Sequence, residues 1–156
     1  MIDETVNYDS GIRNYNRMLE GKRAFITTAA RGIGKSIAIL FARQGATVYF
    51  AGRNECYVRE TESELQLLAP ESRGYICDLA DGAQSEETAA LVLRDSGGID
   101  ILINNAGISD STPISGYTAE RFAKIMQLNV DAVMNGVLAV VDIMKEQGGG
   151  VSALVD

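Results

Sequence analysis

The 156-residue sequence contains no histidine at all. That absence removes Ser-His-Asp triads, Cys-His pairs and histidine-ligated metals from what these residues can build. Proton transfer by this chain must fall to tyrosine, lysine, serine or a carboxylate. Positive charge is also short, with 14 Lys+Arg against 21 Asp+Glu and a net charge of −7. No nucleic-acid partner is expected on that balance, although single arginines could still grip a phosphate. Cysteine is scarce: Cys56 and Cys77 lack metal-ligand spacing, no metal site is expected, and both read as reduced packing residues. No apolar run reads as long enough to cross a bilayer. The polar opening "MIDETVNYDSGIRNYNR" lacks the apolar centre of a secretion signal. The expectation is a cytoplasmic protein without a membrane partner.

What is present is globular: 46% apolar and 22% charged, in a length that suits one domain. Short apolar runs alternate with longer amphipathic ones. Strands are expected at Ala24–Thr28, Thr47–Ala51, Gly74–Cys77 and Ile99–Ile103, with "VSALV" from Val151 as a fifth. Helices are expected over Gly34–Gln44, Glu55–Ala69 (stopped by Pro70) and Gln84–Ser96. In the first of these, Ile33, Ile37, Leu40 and Phe41 fall on one face. A long helix runs from an N-cap at Thr118 to about Gln147, with Glu120 in its first turn. Strands alternating with helices at these intervals imply parallel βαβ units with right-handed crossovers. The fold class is therefore α/β, a Rossmann-type doubly wound parallel sheet of order 3-2-1-4-5. Residues 1–20 read as a flexible or loosely docked extension, and 21–156 as the domain.

The stretch "TTAARGIGK" lies between the first strand and the first helix. Helix-start N–H groups lack partners and the dipole is positive there, so a pyrophosphate is stabilised at that point. Gly32 allows close backbone approach, and Gly34 lets the helix pack near the strand. The bland alternative is an ordinary strand-to-helix turn.

"TTAARGIG", then "NNAG" after the fourth strand, then "LNV" in the long helix resemble the short-chain dehydrogenase/reductase family in order and separation. The likeness covers Glu20–Asp156, the N-terminal cofactor-binding portion of that family. It implies an NAD(P)-dependent oxidoreductase working on an alcohol/carbonyl pair, with a small-molecule alcohol or ketone as partner. By resemblance, Thr28, Ala29, Ala30 and Arg31 line the adenosine-ribose and phosphate end, and Ile33 presents its N–H to the pyrophosphate alongside Gly32 and Gly34. Arg53 falls by the ribose 2′ position, and Asp78 and Leu79 flank the adenine. Asn105, Ala106 and Gly107 run along the cofactor, with Asn104 also tying the sheet together. Arg53 as a solvated loop charge and Asp78 as a turn former stay open beside these roles.

An acidic residue ending the second strand would hold both ribose hydroxyls and repel a 2′-phosphate. That slot is Gly52, followed by Arg53, with Arg31 as a second guanidinium. NADP is therefore expected over NAD. Thr28 stands where the family has its first glycine; a β-branched residue there crowds the loop and restricts φ, so weakened binding is expected.

In the family, a Ser after the fifth strand and a Tyr-x-x-x-Lys pair carry the chemistry, supported by an Asn in the fourth helix. Asn129 in "LNV" takes that last place as the catalytic candidate, or is a helix-interior Asn bonding the backbone. None of the six tyrosines has Lys four residues later: Tyr49 has Arg53 and Tyr117 has Arg121. Ser152 falls ahead of the fifth strand rather than after it. The expectation is a fold cut after that strand and inactive by itself. A fragment of a working reductase, a non-catalytic nucleotide-binding module, and an assembly or regulatory subunit are the open readings. The apolar residues from Phe122 to Met144 imply a helix buried on more than one side, with a second copy as partner through residues 118–147.

Overall fold

The computed structural model describes residues 17–155. Five parallel strands lie in the order β3-β2-β1-β4-β5. They are β1 (Arg23–Ile26), β2 (Thr47–Gly52), β3 (Arg73–Ile76), β4 (Ile101–Asn104) and β5 (Val151–Leu154). Helices α1 (Gly32–Arg43), α2 (Glu55–Gln66), α3 (Gly82–Ser96) and α4 (Ala119–Glu146) make the crossovers. The expected topology and every expected element are present, displaced by a few residues at the ends.

Strand alternation sends neighbouring side chains to opposite faces, and each face carries its own core. Phe25, Tyr49, Ala51 and Leu102 pack with Val92 of α3 and Val140 and Met144 of α4. Ile26, Val48, Phe50 and Ile103 pack with Ala38 and Ala42 of α1 and Val58 and Leu65 of α2. The chain thus winds on both sides of one sheet.

The apolar face of α1 is divided: Ile37 and Phe41 are half-buried and pack against the core. Ile33 and Leu40 are 66% and 54% exposed, while Gly34, Ala38 and Ala42 are buried. Where the helix comes closest to the strand end, at Gly34, there is no room for a larger residue, and Ile33 beside it points outward.

Four caps set where elements begin and end. Asn54 starts α2 by accepting from Tyr57 N, and Asp81 starts α3 by accepting from Ala83 N and Gln84 N. Thr118 starts α4 by accepting from Arg121 N, and Gly97 closes α3 in the left-handed region.

At the amino ends of the strands, Asp100 accepts from Arg23 N at 2.8 Å and Arg23 Nε at 2.9 Å. Gln147, just past α4, accepts from Ile99 N at 3.1 Å and donates to Ile99 O at 2.9 Å. Together they bind β1, the start of β4 and the end of α4 into one corner.

The proposed 1–20 extension falls mainly on residues 1–16, outside the described residues. Met18–Gly21 are docked: Leu19 N donates to Gln44 O at 2.9 Å and Gly21 N to Gly45 O at 3.2 Å, on the α1–β2 turn.

Helix α4 differs in three ways. It contains a π-helical turn over Gln127–Asp131 that no sequence signal announced. Little of it is buried, Ala132, Val140 and Met144 being its buried positions. By length and composition it is also apolar enough to cross a membrane. Charged residues interleaved along it break any continuous apolar run. Its sheet-facing side packs on the core of the domain.

Candidate functional site

The residues singled out by motif come together at the carboxyl ends of β1 to β4. Loops following parallel strands share that edge of the sheet, which is where α/β domains of this winding place their ligands.

The β1–α1 loop is built around close contacts. Thr27 is buried, and its Oγ1 accepts from Asn105 N at 3.0 Å and Ala106 N at 3.1 Å. This bonds the end of β1 directly to the loop after β4. Asn105 Nδ2 donates to Thr28 O at 2.6 Å and Thr28 Oγ1 at 2.9 Å. A Cβ on Gly34 would lie 1.9 Å from Thr28 O, so no other residue fits there without moving the loop. Gly32 has φ +62°, a conformation few L side chains adopt, and it turns the chain into α1.

Thr28 itself fits without the expected backbone restriction. Among the described residues, Arg17 is the non-glycine residue with positive φ, so Thr28 occupies ordinary backbone space. Its hydroxyl points to Asn105 and becomes part of the tie between the two loops.

The first turn of α1 is bare. Arg31 occupies its N-cap in an extended conformation and supplies no side-chain cap bond. The amides of Gly32, Ile33 and Gly34 therefore face the loop edge uncapped, whereas α2, α3 and α4 each carry a side-chain cap. Ala29 is buried, its N donating to Ala51 O at 3.1 Å, and Ala30 O accepts from Thr61 Oγ1 at 3.0 Å.

Two guanidiniums stand beside this helix start. Arg31 is exposed, its Cζ 5.9 Å from the Tyr57 ring centroid. Arg53 is exposed just past β2. Neither forms an ion pair among the described residues. The preceding Gly52 is buried against Ala30 and Val58, where a Cβ would come within 2.7 Å of Ala30 Cβ.

On the β3 side, Asp78 and Leu79 are half-buried, and Asp78 N donates to Gln84 Oε1 at 3.2 Å. The Asp78 carboxylate also accepts from Ala80 N at 3.1 Å, the turn-forming role that the sequence left open.

On the β4 side, Asn104 is 2% exposed and its Nδ2 donates to Ser152 Oγ at 3.3 Å. Ser152 therefore lies within β5, not ahead of it, because pairing with β4 begins already at Val151. The Asn104 Oδ1 is the buried side-chain polar atom without a partner among the described residues. Gly136 of α4 approaches it so closely that a Cβ there would be 2.8 Å away.

Asn129 bonds backbone, but not that of its own helix. Its Oδ1 accepts from Ile108 N at 2.8 Å and its Nδ2 donates to Ile108 O at 2.9 Å, fixing the loop just beyond Gly107. The following loop is clamped by Arg121 Nη1, which donates to Asp110 Oδ2 at 2.8 Å and Thr112 Oγ1 at 2.7 Å. Bonds from Thr112, then the Arg121 guanidinium, hold the Asp110 carboxyl down at about 2.

Thr27, Gly136 and Gln127 were missed in the sequence. Thr27 had a visible signal, since the "TT" pair puts one hydroxyl on each side of the strand end. Gly136 and Gln127 had none, because their partners lie in distant loops.

This sheet and this loop edge define a nucleotide-binding α/β domain of the Rossmann type. Residues 22–153 match the short chain dehydrogenase family, and the chain belongs to that family. It is 42% identical over 136 residues to 3alpha-hydroxysteroid dehydrogenase of Mediterraneibacter gnavus, covering 86% of this chain and 54% of the relative. Against galactitol 2-dehydrogenase of Agrobacterium fabrum it is 35% identical over 132 residues, covering 85% and 50%. Among solved structures, a 7 alpha-hydroxysteroid dehydrogenase in complex with NADH and 7-oxo glycochenodeoxycholic acid superposes with a TM-score of 0.86 at 32% identity, covering 92% of this chain and 56% of that one. A 3-ketoacyl-(acyl-carrier-protein) reductase from Brucella melitensis, also with NADH, gives 0.77 at 30% identity, covering 83% and 52%. The chain thus spans about half the length of the relatives it matches.

Proposed function

We propose that this chain supplies the cofactor-binding half of an NAD(P)-dependent oxidoreductase acting on an alcohol/carbonyl pair. The observation that carries the reading is the bare start of α1, set behind Gly32 at φ +62° and wedged at Gly34 against the Thr28 carbonyl. Uncapped amides at a positive helix end suit a pyrophosphate, and the two NADH-bound relatives support a nicotinamide dinucleotide. Such a cofactor supplies a hydride acceptor or donor. The chain's own residues orient it: Thr28, Ala29, Ala30, Arg31, Gly32, Ile33 and Gly34 at the phosphates and adenosine ribose, Asp78 and Leu79 at the adenine, and Asn104, Asn105, Ala106 and Gly107 along its length. Asn129 holds Ile108 and with it the substrate side of the loop. This stretch contains no Tyr-x-x-x-Lys, so in this reading the proton-transferring Ser, Tyr and Lys lie outside it and these 156 residues alone are inactive.

We further propose NADP over NAD. The slot that would hold a ribose-binding carboxylate is Gly52, and the contacts with Ala30 and Val58 leave no room for any side chain there. Arg53 and Arg31 are both available to a 2′-phosphate. Titration should show NADPH binding more tightly than NADH. Arg53→Asp should weaken NADPH by about tenfold or more, the worth of one charge-assisted bond, and spare NADH. Absence of binding to either nucleotide overturns the function; an unchanged NADPH affinity in the variant overturns the cofactor choice.

The partner reading is a second copy through the 118–147 helix. Phe122, Met126, Val130, Met134 and Leu138, spaced four apart on α4, are each between 38% and 63% exposed. Such a stripe is a surface that monomers rarely leave open. Met134→Glu should shift the protein to a smaller sedimenting species; a wild type that is monomeric at high concentration defeats this reading. Free Cys56 and Cys77 and the acidic net charge support a reducing, cytoplasmic setting without nucleic-acid or membrane partners.

A further inference from the structure

One turn of α4 reaches both loops that bracket the candidate site. From the π-helical turn Gln127–Asp131, the Gln127 Nε2 donates to Ala80 O at 2.7 Å. Two residues on, Asn129 makes its paired bonds to Ile108 N and O at 2.8 and 2.9 Å. Helix residues two apart point to different sides. A helix lying between two loops can therefore hold one with each. Widened turns of this kind collect at functional sites, since they re-aim side chains that a regular helix would place elsewhere.

The two loops are held differently. The β4 loop has Thr27 at its base as well as Asn129. At its base the β3 loop has Cys77 N donating to Gly52 O at 3.0 Å, and beyond Cys77 it is otherwise tied locally: Asp78 to Ala80 N, Asp78 O to Asp81 N, and Gln84 to Asp78 N. Among the described residues, the Gln127 amide is the hydrogen bond that ties this loop to α4.

We propose that Gln127 is a positioning residue for the adenine end of the nucleotide, fixing Ala80 and through it the backbone of Asp78 and Leu79. This rests on the reading of Asp78 and Leu79 as adenine neighbours given above. Without the amide, the loop relaxes, and a bound nucleotide must order it at the expense of affinity. The π-helical turn then acts as a strap with two arms, Gln127 for the adenine side and Asn129 for the opposite side.

The test uses the full chain without cofactor and 5′-AMP as the probe. Gln127→Leu keeps bulk and removes the donor; Gln127→Lys keeps a donor of similar reach. In the leucine variant, amide exchange over Asp78–Asp81 should quicken while Gly32–Gly34 exchange and the melting temperature stay as in wild type. Its affinity for 5′-AMP should fall about fivefold, the scale of one neutral hydrogen bond. The lysine variant should recover both. Equal exchange and equal 5′-AMP affinity in the leucine variant overturn the proposal, as does loosening spread across the whole domain. A wild type that binds no 5′-AMP sinks the nucleotide reading underneath, while the exchange data still report whether Gln127 holds the loop.

Discussion

Gly34→Ala is expected to destabilise the protein by about 3 kcal/mol and to abolish nucleotide binding. The added Cβ would sit 1.9 Å from Thr28 O and 2.6 Å from Asn105 Nδ2. The first of these is backbone at the end of β1, which cannot swing aside as a side-chain tip can. The second is the amide that ties the β1 loop to the β4 loop. Relief requires α1 to lift from the sheet, which opens the contacts of Ala38 and Ala42 beneath it. For a domain of this size the melting temperature should drop by roughly 10 °C. Thermal unfolding checks the first part and NADPH titration below the melting range checks the second. A variant within 1 °C of wild type would mean that the helix is not seated as described.

Asp100→Ala is expected to cost about 2 kcal/mol at neutral pH, because Arg23 is then left half-buried without its partner. The Asp100 carboxylate accepts the Arg23 backbone N–H and two of its side-chain donors. Hydrogen bonding from Arg23 holds its carboxyl below the ordinary aspartate value of 3.8, against burial, which acts upward. The folded chain therefore binds its proton less readily than the unfolded chain. The stability this contributes is complete above the ordinary value of 3.8 and is lost as pH falls through the lower, folded value. Urea unfolding of both proteins at neutral pH and near pH 3 tests this: the gap between wild type and variant should narrow on acidification. A gap that is constant, or wider in acid, would remove Asp100 from the corner's energetics.

The α/β class was legible because strands and helices alternate; alternation alone also suits other doubly wound orders, and 3-2-1-4-5 was legible only with the loop motifs after β1 and β4. The shape of the β1–α1 loop was legible because glycine at Gly32 and Gly34 answers local geometric demands. Helix α1 was half legible: Ile37 and Phe41 do pack on the core, while Ile33 and Leu40 do not. Large apolar residues normally mark the core side, yet close approach to the strand end leaves no room for one at Gly34, and Ile33 beside it points outward. The π-helical turn was invisible, since "QLNVD" is unremarkable helix sequence and the turn is stabilised by what Gln127 and Asn129 reach in distant loops. Thr28 looked like an obstruction because a β-branched residue restricts φ; its backbone is ordinary, and its hydroxyl accepts from Asn105, 77 positions away, a tie invisible in the sequence. Ser152 was placed one step early because the strand boundary, not the residue type, decides its role.

The uncapped opening of α1 has a thermodynamic consequence for the protein in solution. Donors left without a side-chain partner leave the folded form short of one stabilising contact that its other helices possess. An anion taken up there by the folded chain alone displaces the folding equilibrium by mass action, reaching about 2.7 kcal/mol at a hundred times its dissociation constant. On the proposed reading, persistence of the domain would track the ambient supply of that anion.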